Sequence, residues 1–423
     1  MSFVTGALGA LGSPYVIAYS YAGSGNFNGA SGAGLLTVMP APVATAVSVS
    51  PASQQYSDRV TFEAVLSPTS TNGLAPAASV TFLIGDQAVG TANLVFAGGA
   101  FKATLANVAL RLGPGPYPVT AQFGGVNSNF TIAAPLPLVI TPEDARAAYA
   151  GLLAVSTPCA ACNLATVTLR ATIRDISATP DAAGDTSPGD IRQARVTFIN
   201  RDTGAVIAAD VPVIGLTNDD QTKIGMASYD WKVNLGKAES VTFKVGIIVN
   251  NYYTRDDSGD DIRVVVSRPC AATVAGEGFL VASHSAGLIA ADPETRSVFE
   301  FGVRAHGRQA KIHGHFHAII RSRGRIYLIK SEALDSLTVN PTASKASFAG
   351  KARIVDLTNL LRPVVVDEEV DLEVTAAERE NSERGDALAV TLWKKSGELY
   401  YSSHWNGAKT AMQKLRHGHL VLR

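Results

Sequence analysis

LGPGPYPVTAQFGGVNSNF, residues 112–130, repeats in altered form a stretch near the start of the chain, LGSPYVIAYSYAGSGNF at residues 11–27. Each copy is followed by a short apolar segment, LPLVITP (136–142) or LLTVMP (35–40). The copies lie about one hundred residues apart, which is the length of a domain rather than of a solenoid repeat. Between them run TAVSVSP (45–51), RVTFEAVLSP (59–68), ASVTFLIG (78–85), GTANLVFAG (90–98) and AFKATLANVAL (100–110). Their apolar and polar residues alternate with period two and turn residues bound them, so each reads as a half-buried strand. With the closing pair from the repeated stretch, seven strands make one unit.

The rest of the composition agrees with an all-β chain. Gly numbers 38 and Pro 20, while Val, Thr, Ile and aromatic residues recur in short runs. A length of 423 residues predicts roughly three or four domains. Lys+Arg and Asp+Glu both number 36 and only 17% of residues are charged, so no global charge favours a nucleic-acid partner. No charged residue precedes Asp58, yet Gly, Ser, Pro and Asn interrupt every apolar run in that stretch. It lacks the basic start and continuous apolar core of a secretory leader, and no segment nears the roughly 20 apolar residues of a membrane span. Membrane insertion is not expected, and any export signal lies outside this chain.

TAVSVSPASQQYSDRVTFEAVLSP (45–68), ASVTFLIGDQAVGTANL (78–94) and PGPYPVTAQFGG (114–125) resemble the bacterial immunoglobulin-like repeat family of surface and secreted proteins. That resemblance implies tandem β-sandwiches: a truncated repeat at 1–39 holding only its last two strands, an Ig-like domain at 40–139, and a larger Ig-like domain at 140–268. The larger domain rests on ATVTLRATIRD, ARVTFINRDTG, ASYDWKVNLG, SVTFKVGIIVNNYY and DIRVVVS. A two-stranded remnant cannot bury a core alone, so residues 1–39 are expected to lean on the next domain or on a missing strand. Residues 269–423, with GEGFLV, SSHWNGAKT and the closing GHLVLR, resemble the post-COAP domain that follows such repeats. The expected fold there is an antiparallel β-sandwich or a barrel-like sheet.

Several residue groups are candidate sites. In Ig strand order, DISATPDAAGDTSPGD is the B–C loop and TRDDSGDD the F–G loop, and both emerge at one end of a sandwich. Asp175, Asp181, Asp185 and Asp190 then meet Asp256, Asp257, Asp260 and Asp261, with Glu143 and Asp144 close by. So many carboxylates call for a cation, and calcium, with six to eight oxygen ligands, suits them; ordinary Asp-rich turns are the plainer reading. Cys159 and Cys162 in TPCAAC, together with Cys270, are too few for a zinc knuckle. Either CAAC closes on itself or one member ties to Cys270.

KIHGHFHAII (311–320) alternates Ile312, Gly314, Phe316 and Ala318 with His313, His315 and His317. The histidines therefore line the outer face of a half-buried strand. His313 and His317 stand about 13 Å apart at the strand rise, so one ion cannot take all three, and a pair needs ligands from neighbouring strands. Lys311, His313, His315, His317, Arg321, Arg323 and Arg325 are also candidates for an anionic ligand, because no acid falls between Gly302 and Ser331. Against this, VVDEEVDLEVTAAERENSERGD (365–386) carries nine acids, and pairing this strand with the basic one is expected to cancel the field.

No nucleophile elbow, P-loop, zinc-protease helix or dinucleotide fingerprint occurs. SHSAG (283–287) sets Ser beside His, but strand neighbours face opposite ways. The expected role is therefore a non-enzymatic extracellular or cell-surface spacer or adhesion module whose partners are other surface proteins or extracellular polysaccharide. Glycan or anionic-polymer binding through the basic face is the alternative. A hydrolase with an unrecognised carboxylate pair is third.

Overall fold

A computed structural model describes residues 8–9, 12–39, 44–67, 79–97, 100–124, 135–178, 185–217, 221–305, 311–379 and 385–423. The chain forms two compact units, Met1–Pro142 and Glu143–Arg423. Among the described residues all the long elements are strands, as the alternating runs predict.

In the first unit, among the described residues, β1 (Tyr15–Tyr21) and β2 (Ala30–Leu36) pair only with each other, as an antiparallel hairpin. Ile17, Tyr19, Tyr21 and Leu35 stay exposed on it. The remaining strands are β3 (Ala44–Ser50), β4 (Ser53–Gln55), β5 (Arg59–Ser67), β6 (Ser79–Ile84), β7 (Gln87–Asn93), β8 (Val95–Ala97), β9 (Ala100–Ala109), β10 (Gly115–Gly124) and β11 (Leu136–Thr141). They form two sheets, β3-β5-β9-β8 and β4-β11-β10-β6-β7. Inward residues such as Val60, Phe62, Phe82, Val119 and Leu138 are buried, with the Phe62 and Phe82 rings 5.6 Å apart. The repeat is visible in detail: Tyr117 donates its hydroxyl hydrogen to Gly113 O (2.9 Å), and Tyr15 donates to Gly9 O (2.6 Å). Each opens its strand with the backbone-bonded tyrosine typical of an Ig corner.

The second unit begins with a larger sandwich. Its strands are β12 (Glu143–Tyr149), β13 (Ala154–Ser156), β14 (Leu164–Asp175), β15 (Ala194–Asn200), β16 (Ala205–Pro212), β17 (Ile214–Gly215), β18 (Ile224–Asn234), β19 (Ser240–Asn251), β20 (Tyr253–Asp256) and β21 (Ile262–Ser267). One layer is β12-β14-β18-β17; the other is β13-β21-β19-β15-β16, and β20 joins them by pairing with β12 and β19. The first strand is thus shared between layers, parallel to β20 at Glu143 and parallel to β21 at Val155. Val167, Leu169, Phe198, Ile247 and Val264 fill the space between.

The chain then makes a curled antiparallel half-barrel of β22 (Ala272–Val281), β23 (Arg296–Ala305), β24 (His313–Ser322), β25 (Arg325–Asn340), β26 (Lys345–Asp356), β27 (Val364–Ala377), β28 (Ala387–Trp393), β29 (Leu399–Ser402), β30 (Gln413–Lys414) and β31 (His417–Leu422). Strands β22 to β29 form a meander in chain order, and β31 returns to pair with β22. Phe299, Phe301, Phe316 and Phe348 pack inside the curl. Register shifts in β25, β26 and β27 supply bends, since a bulge kinks a strand and raises its twist. At the seam with β31, Gly278 lies opposite Gly418. Gly418 has φ +114, and a Cβ there would come 2.1 Å from Glu277 O. Gly418→Ala is therefore expected to loosen β31 and cost about 1–3 kcal/mol. Hydrogen exchange across 417–422 should rise in the variant, and unchanged protection would show that the seam tolerates a side chain.

Candidate functional site at the domain junction and the outer sheet face

The outer side of β14 carries Thr166, Thr168, Arg170 and Thr172. The half-barrel covers half of it. Arg170 is 2% exposed, and its guanidinium donates to Glu373 Oε1 and to Asp371 Oδ2 (2.7 Å), both on β27. It lies over the Trp393 ring at 5.2 Å, and Trp393 Nε1 donates to Glu373 Oε2 at 3.3 Å. Lys351 completes the pairing of Asp371. Burial pushes the Glu373 carboxyl up, against the opposing pull of Arg170 and the indole N–H. Burial also raises the Tyr149 hydroxyl, with Glu373 adding to the effect.

Other contacts extend the junction. Thr172 Oγ1 donates to Ala408 O (2.6 Å), Ser156 N to Ser336 Oγ (2.9 Å) and Leu337 N to Ser156 Oγ (2.9 Å). Leu399 N bonds to Leu216 O at 2.7 Å. Leu216, Met226, Trp393 and Leu399 form a small apolar core that draws on both domains. Beside it opens a cleft of about 880 Å³ with Glu373 in its wall and Arg263, Lys345 and Lys409 among its lining residues.

The loop aspartates do come to one end of the sandwich, but protein donors take up most of them. Buried Asp175 accepts from Ser177 N (2.9 Å), Gly189 N (3.0 Å) and Tyr253 Oη (2.8 Å). Asp190 caps the turn before β15 and holds Arg192 through both oxygens. Arg201 spans Asp256 and Asp261, Lys244 adds to Asp261, and Arg255 spans Asp257 and Asp260. Asp185 Oδ1 accepts from Ser187 N at 2.8 Å, while its Oδ2 is buried with no hydrogen-bond partner. Asp181 lies outside the described residues. The repulsion that argued for calcium is thus largely relieved by arginines.

Of the cysteine alternatives, the closed CAAC ring is the one formed: Cys159 is bonded to Cys162, and Cys270 is free and exposed. Arg268 pins this loop, donating to Ala160 O (2.7 Å), Cys162 O (2.8 Å) and Asn163 Oδ1 (2.7 Å).

On β24, Phe316, Ala318 and Ile320 point inward, while His313, His315 and Arg321 are exposed. The expected cancellation by the acidic strand does not occur. β27 pairs with β26 and β28, and both β25 and β26 lie between it and β24; its Asp371, Glu373 and Glu369 are met by Arg170, Lys351 and Lys395. Arg325 is bound to Asp356 (3.2 Å), so it leaves the anion-binding set. Lys311, two residues before β24, is exposed. The gap in acids between Gly302 and Ser331 is also only linear, because Glu300 on β23 sits opposite His317 and lies 3.7 Å from His315 Nε2. Burial and the neighbouring His315 and Lys330 lower the His317 pKa.

Ser283 of SHSAG meets a histidine distant in sequence rather than its neighbour. Its Oγ is 3.2 Å from His404 Nδ1, and the rings of His404 and His284 are 5.0 Å apart. Burial and His284 lower the His404 pKa. Nothing in the local sequence announces this contact, nor the Arg170 junction.

No protein-family model matches the chain, so the Ig-repeat and post-COAP resemblances stand without one, and no curated protein matches it. Among solved structures the chain is similar to the Yersinia pseudotuberculosis adhesin InvE (15% identity, 54% of this chain and 60% of that one, TM-score 0.28). It is similar to invasin, a bacterial integrin-binding protein (11%, 85% and 78%, TM-score 0.30), and to the Escherichia coli adhesin FdeC (11%, 87% and 100%, TM-score 0.22). The likeness is one of Ig-like β-sandwich architecture.

Removing one partner of a buried ion pair costs about 3–5 kcal/mol, whereas replacing the pair with apolar groups is often neutral. Arg170→Ala should therefore destabilise residues 143–423 by that order in denaturant unfolding. Arg170→Met combined with Glu373→Leu should recover most of the loss, and an additive double variant would mean that the two groups do not act together.

Proposed function

We propose that this chain is a non-catalytic module of a bacterial cell-surface or secreted protein, acting as a rigid spacer or adhesion segment toward other surface proteins or extracellular polysaccharide. The observation that carries the reading is the Arg170 clamp. An ion pair, an indole and a shared apolar core hold a sandwich and a half-barrel as one body, which is what a segment that must project without bending needs. Glu373, the acid in the wall of the cleft of about 880 Å³, is engaged in this clamp. The Cys159–Cys162 bond fits an oxidising compartment. No helix among the described residues is long and apolar enough to cross a membrane. Spin labels at Tyr229 and Leu361, exposed on the sandwich and the half-barrel, should give a narrow distance distribution that broadens in Arg170→Ala; a broad distribution in the unaltered chain would count against a rigid spacer.

A second reading is favoured by Arg321 and Arg323, which are exposed and make no ion pair among the described residues. They would attract a sulfated or carboxylated polymer. Retention on a heparin resin should then fall with salt and in Arg321→Glu/Arg323→Glu. Equal retention of the variant would remove this reading.

A further inference from the structure

The register of the half-barrel assembles on its outer face a group that no single stretch of sequence contains. Glu277 on β22 is directly opposite Glu300 on β23, and Glu300 is directly opposite His317 on β24. His315, two residues along β24, shares that face, and its ring centroid is 5.3 Å from that of His317. Glu300 Oε1 is 3.7 Å from His315 Nε2.

Two features point to a cation. Like charges directly opposite on neighbouring strands destabilise a sheet, and among the described residues neither Glu277 nor Glu300 pairs with Lys or Arg. The imidazole spacing also fits an ion: two rings bound to one tetrahedral zinc, with Zn–N bonds of about 2.0–2.1 Å, keep their centroids about 5 Å apart. We propose that His315, His317 and Glu300 form a binding site for a transition-metal dication of the zinc class, with Glu277 as the adjoining carboxylate and water in the open position. Two imidazole nitrogens favour such ions over calcium, which prefers oxygen ligands.

The ligand atoms of His315, His317 and Glu300 do not all lie within 4.8 Å of one another as they stand; with side chains 48% and 68% exposed, His315 and Glu300 would close on the ion by rotation about their own bonds. Lys330, opposite His317 on β25, opposes a cation, but its four-carbon stem lets the ammonium swing toward solvent. The i, i+2 pair on a strand sets two ligands, and the cross-strand neighbour sets the third. This separates the site from the His284 and His404 pair, for which no carboxylate contact occurs among the described residues.

Titration calorimetry with zinc chloride on the tag-free chain tests the assignment. The expected result is saturable uptake of one zinc ion that His315→Ala/His317→Ala abolishes, that Glu300→Gln weakens by roughly tenfold, and that His284→Ala leaves unchanged. Matching thermal unfolding of each variant without zinc shows that the sheet is intact. No saturable uptake by the unaltered chain, or uptake that survives His315→Ala/His317→Ala, overturns the proposal. Unaltered affinity in Glu300→Gln overturns the carboxylate's place in it.

Discussion

Arg170 is a charge that this fold must satisfy from outside its own sandwich. A guanidinium 2% exposed is tolerable only when its charge is paired, because an unpaired buried charge costs several kcal/mol; here Nη1 and Nη2 meet carboxylates, while Nε has no hydrogen-bond partner among the described residues. Its partners, Glu373 and Asp371, sit on a strand two hundred residues further on. The sandwich and half-barrel are therefore not independent beads: each leaves a buried charge in the other uncompensated if they part. The indole of Trp393 works from both sides, as a hydrogen-bond donor to Glu373 and as a face beneath Arg170. Such a pair adds specificity of docking more than raw stability, and that suits a junction whose geometry matters.

The same logic of register governs the outer face of the half-barrel. Curling the meander brings β31 back beside β22, and glycines at 278 and 418 allow the close approach there. Once the strands are in register, side chains far apart in sequence become neighbours every 4.7–4.9 Å across the sheet. Basic β24 gains acidic neighbours in Glu300 and, beyond it, Glu277, while acidic β27 finds its own cations. The charge of a face is thus set by strand order rather than by the composition of any one strand.

This explains what could be read in the sequence. Period-two alternation located the strands, and the repeat at domain spacing marked the recurring strand pairs, in which the structure adds the backbone-bonded Tyr15 and Tyr117. The Ig order put the two aspartate loops at one end, and CAAC was short enough to close on itself. The inward positions of the histidine strand followed from Phe316, Ala318 and Ile320. Pairing partners were not legible. Arg255 lies in the same loop as the aspartates it neutralises, yet a charge count could not say which arginine meets which acid. Likewise, polarity alone cannot distinguish solvent from a polar interface on the outer side of β14, where Thr166 is exposed while Arg170 and Thr172 are buried.

The two kinds of buried or crowded carboxylate in the second unit mark a useful distinction. Glu373 is dry and held by an arginine and an indole, so its geometry is fixed and its role is mechanical. Glu300 is wet, faces a second glutamate and, among the described residues, has its ion-pair contact with an imidazole rather than with Lys or Arg, so its geometry is free. A carboxylate of the first kind resists exchange of its partners because each exchange exposes a charge in a low-dielectric site. One of the second kind can recruit a new partner at the cost of little more than a rotamer. Compensation, rather than the mere presence of acids, therefore separates the residues that hold this protein together from those open to a ligand.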